Sequence, residues 1–196
     1  MIKKINFLLV LVSIIGSIFI TFNTSDSFIL VLKDVSIIVT INLLYIIEKL
    51  FNIKISDVSK FCYILFIFMA HFLGVTCDLY TKIYWFDKFV HCLSGVLTSF
   101  IAIYILRFNK VKTNIFMNII FIISFSMLVA SLWEVFEYLS SFYFNLDPQK
   151  VASTGVNDTM GDIIVAFIGS IFVSFCYYYE DRNKFNGIIN KFIKSI

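Results

Sequence analysis

Acidic residues and histidines recur in the sequence at the spacing of one helical turn. Residues three or four positions apart share a helix face, so each such pair presents two polar side chains together. Carboxylates and imidazoles are ligands for divalent metal ions, and they also serve as general acids and bases. The recurring pairs are Asp87 with His91, Glu134 with Glu137 and Asp158 with Asp162, while the second histidine, His71, stands apart from them.

The composition shows what kind of element must position these residues. The chain has 196 residues, of which 60% are hydrophobic and 15% charged, and its mean hydropathy is +0.91. Soluble domains are about 45–50% apolar, and a chain of this length cannot bury such an excess in a core. The composition excludes a soluble enzyme and indicates a lipid-facing surface. The four cysteines form no C-x-x-C pair, which excludes a zinc ribbon.

Long apolar segments predict an all-α polytopic membrane protein, because about 20 apolar residues cross a bilayer as a helix. We expect a single membrane domain over residues 1–196, with a basic cytoplasmic tail at 180–196. The second segment reaches spanning length only if it begins near Ser27 and includes Lys33 and Asp34. The six predicted helices cover approximately residues 5–25, 28–47, 60–77, 87–106, 113–138 and 158–179.

The distribution of charge predicts the orientation. With a cytoplasmic N-terminus, 12 of the 16 basic residues fall on the inner side, as the positive-inside rule requires, and the C-terminus is cytoplasmic too. Nine of the 13 acidic residues then fall on the outer side, including every acidic member of the three pairs. Both histidines lie in outer halves of helices. The pairs therefore share a depth near the outer surface.

This clustering has a structural explanation and a functional one. Asp87 and Asp158 could cap helices, and Asp162 could be stabilised by the dipole of its helix. Glu134 and Glu137 could face interfacial water. An ionised side chain that faces lipid costs a few kcal/mol, however, which favours faces turned toward one another. Carboxylates gathered in this way need either protons or a cation.

Two kinds of chemistry follow. Shared protons would make a proton or ion relay. A divalent ion such as Zn, Mn, Fe or Mg would instead use the carboxylates and His91 as ligands, and would activate a water for hydrolysis. We predict both catalytic and metal-binding roles for the six paired residues, with His71 as a supporting or proton-transfer group. The six predicted ligands are Asp87, His91, Glu134, Glu137, Asp158 and Asp162.

The blocks that carry these residues resemble a known family. HFLG at 71–74, WFDKFVHCLSGVL at 85–97, LWEVFEY at 132–138 and NDTMGDIIVAFIGSIF at 157–172 look like the YjdF-like family of small bacterial inner-membrane proteins. A looser similarity to VanZ-like membrane proteins shares the D-K-x-x-H element. The resemblance covers roughly residues 61–172 and implies about six helices in the bacterial plasma (inner) membrane, without implying a reaction. The motif positions that it supports are Asp87, His91, Gly95, Trp133, Glu134, Glu137, Asp158, Thr159, Asp162 and Gly169.

Three functions remain open from the sequence. The first is a metal-dependent, membrane-embedded hydrolase with a lipid or lipid-linked substrate, which the ligand types favour. The second is a small ion- or proton-coupled transporter, against which stand the lack of a repeat and of polar residues matching the site on the inner half. The third is a non-catalytic assembly protein. The bilayer is the expected environment, and a net charge of +3 gives no reason to expect nucleic-acid binding.

Overall fold

The computed structural model describes residues 1–23 and 27–194, and these are helical with short connections. The third long helix changes from α to π geometry part of the way along. In chain order the elements are α1 (Ile2–Asn23), α2 (Ser27–Phe51), α3 (Asp57–Ile67) continued by a π-helix (Phe68–Thr76), α4 (Leu79–Lys82), α5 (Phe86–Phe108), α6 (Ile115–Phe144), α7 (Val151–Thr154), α8 (Asn157–Asn183) and α9 (Ile188–Lys194).

The all-α prediction is confirmed over the described residues, and the predicted helices correspond to the long observed ones. Residues 24 and 25, at the end of the first predicted helix, lie outside the described part. The second predicted span, 28–47, lies within α2 and stays a prediction, as do the cytoplasmic positions of both termini. Five described helices are long and apolar enough to cross a membrane: Ile2–Phe22, Asp57–Thr76, Phe86–Phe108, Ile115–Phe144 and Asn157–Asn183.

The chain divides into two compact units, Met1–Val90 (unit 1) and His91–Ile196 (unit 2). The division falls inside α5, so the first turn of this helix is counted with unit 1 although the helix itself is continuous. The prediction of a single domain over 1–196 stays a prediction.

In unit 1, helices α1, α2 and α3 pack around Ile41, Ile64 and Ile67. The carboxylate of Asp34, on α2, accepts a hydrogen bond from the buried hydroxyl of Ser17 on α1. The charged residue within this apolar helix therefore has a partner on its neighbour.

A second carboxylate of unit 1, Glu48, closes the connection between α2 and α3. Its Oε2 lies 2.7 Å from Lys60 Nζ, and its Oε1 accepts the Ile55 N–H at 2.7 Å. The hydrogen bond from Lys60 is the main reason that the pKa of Glu48 lies below its ordinary value. The Lys60 ammonium also lies 5.2 Å from the ring centroid of Tyr45.

In unit 2, α6 packs along α8, and each presents one narrow stripe to the interior. Four-residue spacing keeps a stripe on one helix face. The buried stripe of α6 is Ile122, Ser126, Ala130 and Glu134, and that of α8 begins Asp158, Asp162 and Ala166. Both stripes thus pass from apolar or small residues to carboxylates, α6 toward its C-terminal end and α8 toward its N-terminal end.

The C-terminal segment folds back on unit 2. Helix α8 continues through Asn183, and the carboxylate of Glu180 accepts the N–H groups of Ile189 at 3.1 Å and Asn190 at 2.8 Å, at the start of α9. Ile189 is buried, and Phe192 packs edge-on against Phe100. The predicted tail 180–196 therefore includes the last turn of α8 and a packed helix.

Candidate functional site

Helix α5 carries the first predicted pair. It begins at Phe86, so Asp87 lies in its first turn rather than at the N-cap, and His91 follows one turn later. Asp87 is buried, and the His91 side chain is 11% exposed. A buried carboxylate in a first turn is favoured by the helix dipole, but the dipole alone does not account for a histidine on the same face.

Helix α8 carries the second pair. Its N-cap is Val156, which places Asp158 in the first turn and Asp162 in the second. Neither aspartate is therefore an N-cap. Asp162 is only 2% exposed, and the dipole effect is confined largely to the first turn. Some other interaction must stabilise the Asp162 carboxylate.

Three of the predicted ligands come together. One side-chain ligand atom from each of Asp87, His91 and Asp162 lies within 4.8 Å of the other two. His91 Nε2 is 3.7 Å from Asp162 Oδ1. Metal–ligand bonds of about 2.0–2.2 Å to nitrogen and oxygen place neighbouring ligands of one ion about 3–4 Å apart, so small side-chain rotations would bring the three atoms onto one cation.

Glu134 reaches the same region from α6. It is 6% exposed, and Gln149 Nε2 donates to both its backbone carbonyl and its Oε2, each at 3.1 Å. Its carboxylate interacts electrostatically with His91 and Asp162, and Thr159 lies within interaction distance. Among the described residues, Glu134 Oε1 is buried and has no hydrogen-bond partner. A buried, unsatisfied carboxylate oxygen is costly, which points to a ligand or a proton at this position.

Two lysines lie beside Asp87 and Asp158, the carboxylates in the first turns of α5 and α8. Lys88 Nζ is 3.6 Å from Asp87 Oδ2, because its long side chain reaches back round the helix to the preceding residue. Lys150 Nζ is 3.6 Å from Asp158 Oδ2. Asp158 thus belongs to an ion pair at the edge of the cluster rather than to the three converging ligands.

The remaining two predicted site residues lie elsewhere. Glu137 is half-buried and accepts a hydrogen bond from Trp133 Nε1 at 2.9 Å, one turn away on the same helix. His71 lies in the π-helix of unit 1 and is also half-buried. The converging group of three includes neither residue.

Next to the cluster, α5 and α8 touch backbone to backbone. A Cβ atom on Gly95 would lie 2.1 Å from the carbonyl oxygen of Ala166, and one on Gly169 would lie 2.3 Å from that of Cys92. Ser126, on α6, donates a hydrogen bond to the Gly95 carbonyl at 3.3 Å. Small residues permit such close crossings in membranes, and this crossing holds His91 and Asp162 in register.

The C-terminal half of α8 is more polar than the sequence suggested. Ser170, Ser174 and Glu180 continue the buried stripe of α8, and Tyr177 accepts a hydrogen bond from Asn118 Nδ2 at 3.0 Å. The prediction that the inner half lacks a matching polar ladder depends on the orientation in the membrane and stays a prediction. This buried stripe consists mostly of hydroxyl groups, which a count of charged residues does not detect.

Sequence reasoning also missed Gln149 and Lys150. Both lie in the polar segment between α6 and α8, and both contact acidic residues of the site. The only signal was their polarity just before a helix that begins with two aspartates. Their contacts depend on how the segment folds back, which residue spacing does not specify.

These features define a polytopic α-helical membrane protein with a buried group of carboxylates and one imidazole, placed near the starts of α5 and α8 and on the neighbouring face of α6. The chain belongs to the family of predicted membrane proteins DUF2238, whose sequence model matches residues 5–182. The match agrees with the resemblance at the level of a membrane-protein family, and it extends beyond residues 61–172 to include α1 and α2. No curated protein and no solved structure matches the chain.

Proposed function

We propose that the protein is a membrane-embedded, metal-dependent hydrolase of the bacterial plasma membrane, acting on a lipid or lipid-linked ester. The observation that carries the proposal is the convergence of Asp87, His91 and Asp162 within 4.8 Å, beside the unsatisfied Oε1 of Glu134. Buried carboxylates at such close range repel one another unless a cation or a proton lies between them.

The donor set suits a divalent ion. Two carboxylates and one imidazole match Zn, Mn or Fe better than Ca, which prefers an all-oxygen shell. Three protein ligands would leave a position for water, as in catalytic rather than structural sites. Glu134 then serves best as the general base, because its Oε2 is already bonded to Gln149 while its Oε1 is not.

The proposed reaction is a hydrolysis. Asp87, His91 and Asp162 would hold the ion, which would lower the pKa of a water, and Glu134 would take the proton that this water loses. The water oxygen bonds to the carbon or phosphorus of the ester while the bond from that atom to the leaving oxygen breaks. Glu134 returns the proton to the leaving oxygen, so one water is added across the ester bond.

The first test is metal content. The full-length protein is purified in detergent, incubated with Zn²⁺ or Mn²⁺, desalted and analysed by mass spectrometry. We expect about one ion per chain in the wild type, in Glu134→Gln and in the unit 1 control Glu48→Gln. Asp162→Asn and His91→Ala should lose the ion. Equal metal content in all five proteins would contradict the proposal.

The second test separates the base from the ligands. Chromogenic p-nitrophenyl esters of a fatty acid and of phosphate are presented in mixed micelles. Glu134→Gln should retain the ion and lose about 10²–10⁴-fold in rate, the usual contribution of a general base. Unchanged hydrolysis in this variant would remove Glu134 from the reaction.

A proton- or ion-coupled carrier is the second candidate, favoured by the polar stripe from Ser170 to Glu180. The backbone contact of Gly95 with Ala166 lies between that stripe and the cluster. This contact favours a cluster that is separated from the polar stripe by closely packed helices. Proteoliposomes loaded with a pH-sensitive dye discriminate the two functions. Flux abolished by Glu134→Gln would support the carrier, whereas absence of flux alongside ester hydrolysis would support the enzyme.

A further inference from the structure

We propose that Lys150 recognises a phosphate group of the substrate, so that the substrate class is a phosphate ester rather than a neutral ester. This inference rests on the proposed function, because it assigns the chemistry of the group that meets the metal site. It concerns a residue that the predicted site did not include.

The first step is the position of Lys150. Its neighbour Gln149 is 7% exposed and is bonded to the Glu134 carboxylate. The turn that follows is fixed by Asp147, whose carboxylate accepts the N–H groups of Val151 at 2.7 Å and Ala152 at 3.2 Å. Lys150 is therefore attached directly to a residue anchored in the site.

The second step is the state of its ammonium group. Lys150 Nζ lies 3.6 Å from Asp158 Oδ2, which is longer than the 2.7–2.9 Å typical of a charge-assisted hydrogen bond. The Lys150 side chain is 32% exposed and that of Asp158 is 9% exposed. The ammonium group of this ion pair is therefore partly accessible, and an ammonium group carries three donors that an approaching anion can share.

A second lysine repeats this arrangement. Lys88, in the first turn of α5, is likewise 3.6 Å from a carboxylate oxygen, that of Asp87, and its side chain is also 32% exposed. Asp87 and Asp158 therefore each have a partly exposed ammonium group beside them. Positive groups beside an acidic site would counter the repulsion that the carboxylates exert on an anion.

The third step is the choice of anion. A phosphate group has several anionic oxygens, so that one can bind a divalent ion while another accepts from a lysine. A neutral carboxylic ester has no charged oxygen for the ammonium group. The pairing of a metal site with lysines therefore favours a phosphate group, carried either by a lipid headgroup or by a water-soluble phosphate ester.

The experiment uses the full-length protein in detergent with Mn²⁺ bound, and it follows line broadening of the ³¹P resonance of inorganic phosphate by the paramagnetic ion. We expect Lys150→Gln to weaken phosphate binding about tenfold, the effect of losing one charge-assisted contact. Lys150→Arg should retain binding. Lys112→Gln, in the exposed connection between α5 and α6, is the matched control and should bind as the wild type does.

A second arm distinguishes the source of the phosphate. The same proteins are placed in nanodiscs that contain phosphatidic acid or, as a control, diacylglycerol, and broadening of the lipid phosphorus signal is measured. Lys150-dependent broadening with phosphatidic acid identifies a lipid headgroup, whereas Lys150-dependent broadening with inorganic phosphate alone, used as a probe, indicates the phosphate group of a water-soluble ester. Either result supports the inference.

Two different failures are distinguishable. If the wild type binds Mn²⁺ and Lys150→Gln binds phosphate as tightly as the wild type does, the role of Lys150 is refuted and the hydrolase proposal stands. If the wild type binds no Mn²⁺, the metal site itself is refuted and the present inference falls with it.

Discussion

Two carboxylates of unit 1 and two carboxylates of unit 2 have opposite surroundings. In unit 1, Asp34 has the Ser17 hydroxyl as a partner, and Glu48 has Lys60 and a backbone N–H. In unit 2, Asp162 and Glu134 meet a histidine and a glutamine, and Glu134 keeps one oxygen unsatisfied. A carboxylate that has its own hydrogen-bond or ion-pair partner stabilises the contact between two helices. Carboxylates that lie close together without such partners repel one another unless a cation or a proton is bound. Carboxylates are thus structural at Asp34 and Glu48 and candidates for chemistry at Asp162 and Glu134.

The largest expected effect tests how rigidly each unit is packed. In unit 2, a Cβ on Gly95 would meet the backbone of Ala166, whereas in unit 1 a Cβ on Gly16 would meet the ring of Phe72 at 2.6 Å. A ring can rotate away and a helix backbone cannot. We expect Gly95→Ala to lower the free energy of unfolding by about 3 kcal/mol or more, and Gly16→Ala by about 1 kcal/mol.

Thermal unfolding in detergent, followed by size-exclusion chromatography after heating, measures both variants. Equal losses would show that the α5–α8 crossing is no tighter than the contact between Gly16 and Phe72, and would weaken the view that it holds His91 beside Asp162.

The next effect concerns metal removal. Binding at 100 times Kd stabilises a folded protein by about 2.7 kcal/mol, so a chelator should lower the Tm of the metal-loaded wild type. Asp162→Asn should show no such response, because it lacks a ligand. Glu48→Gln, which alters only unit 1, should respond as the wild type does, and a chelator effect that persists in Asp162→Asn would place the ion elsewhere.

A smaller effect tests the link between Gln149 and Glu134. Gln149→Leu removes both hydrogen bonds to Glu134 and should cost about 1–2 kcal/mol of stability. A double-mutant cycle with Glu134→Gln measures the coupling, for which we expect about 1 kcal/mol. Strictly additive losses would mean that Gln149 does not position the carboxylate.

The smallest effect belongs to Glu48. Because its pKa is lowered in the folded protein, its contribution is present above its unfolded pKa of about 4.5 and is lost as the pH falls through the lowered value. Glu48→Gln should lower the Tm by about 2–4 °C at pH 7 and by less at pH 4. A Tm difference that does not shrink on acidification would contradict the role of the Lys60 pair.

Much of the fold could be predicted from the sequence, because helix length and apolar content are local properties. The observed α5 and α8 begin within one residue of the predicted starts at 87 and 158. The end of α6 was placed six residues too early, at 138 instead of Phe144. Aromatic residues at 142–144 continue the helix beyond the segment that apolar length alone would require.

The sequence itself determined that the protein spans a membrane, because apolar length is a local property. It also determined that acidic residues and a histidine recur one turn apart, because this follows from spacing along a single helix. Tertiary structure alone decided which side chains meet. Spacing makes Glu134 and Glu137 neighbours, but the rotation of α6 about its axis turns Glu134 inward and leaves Glu137 bonded to Trp133. Tertiary structure likewise brought Lys150 to Asp158. The path of a connecting segment is set by packing between helices and not by any periodicity within the segment.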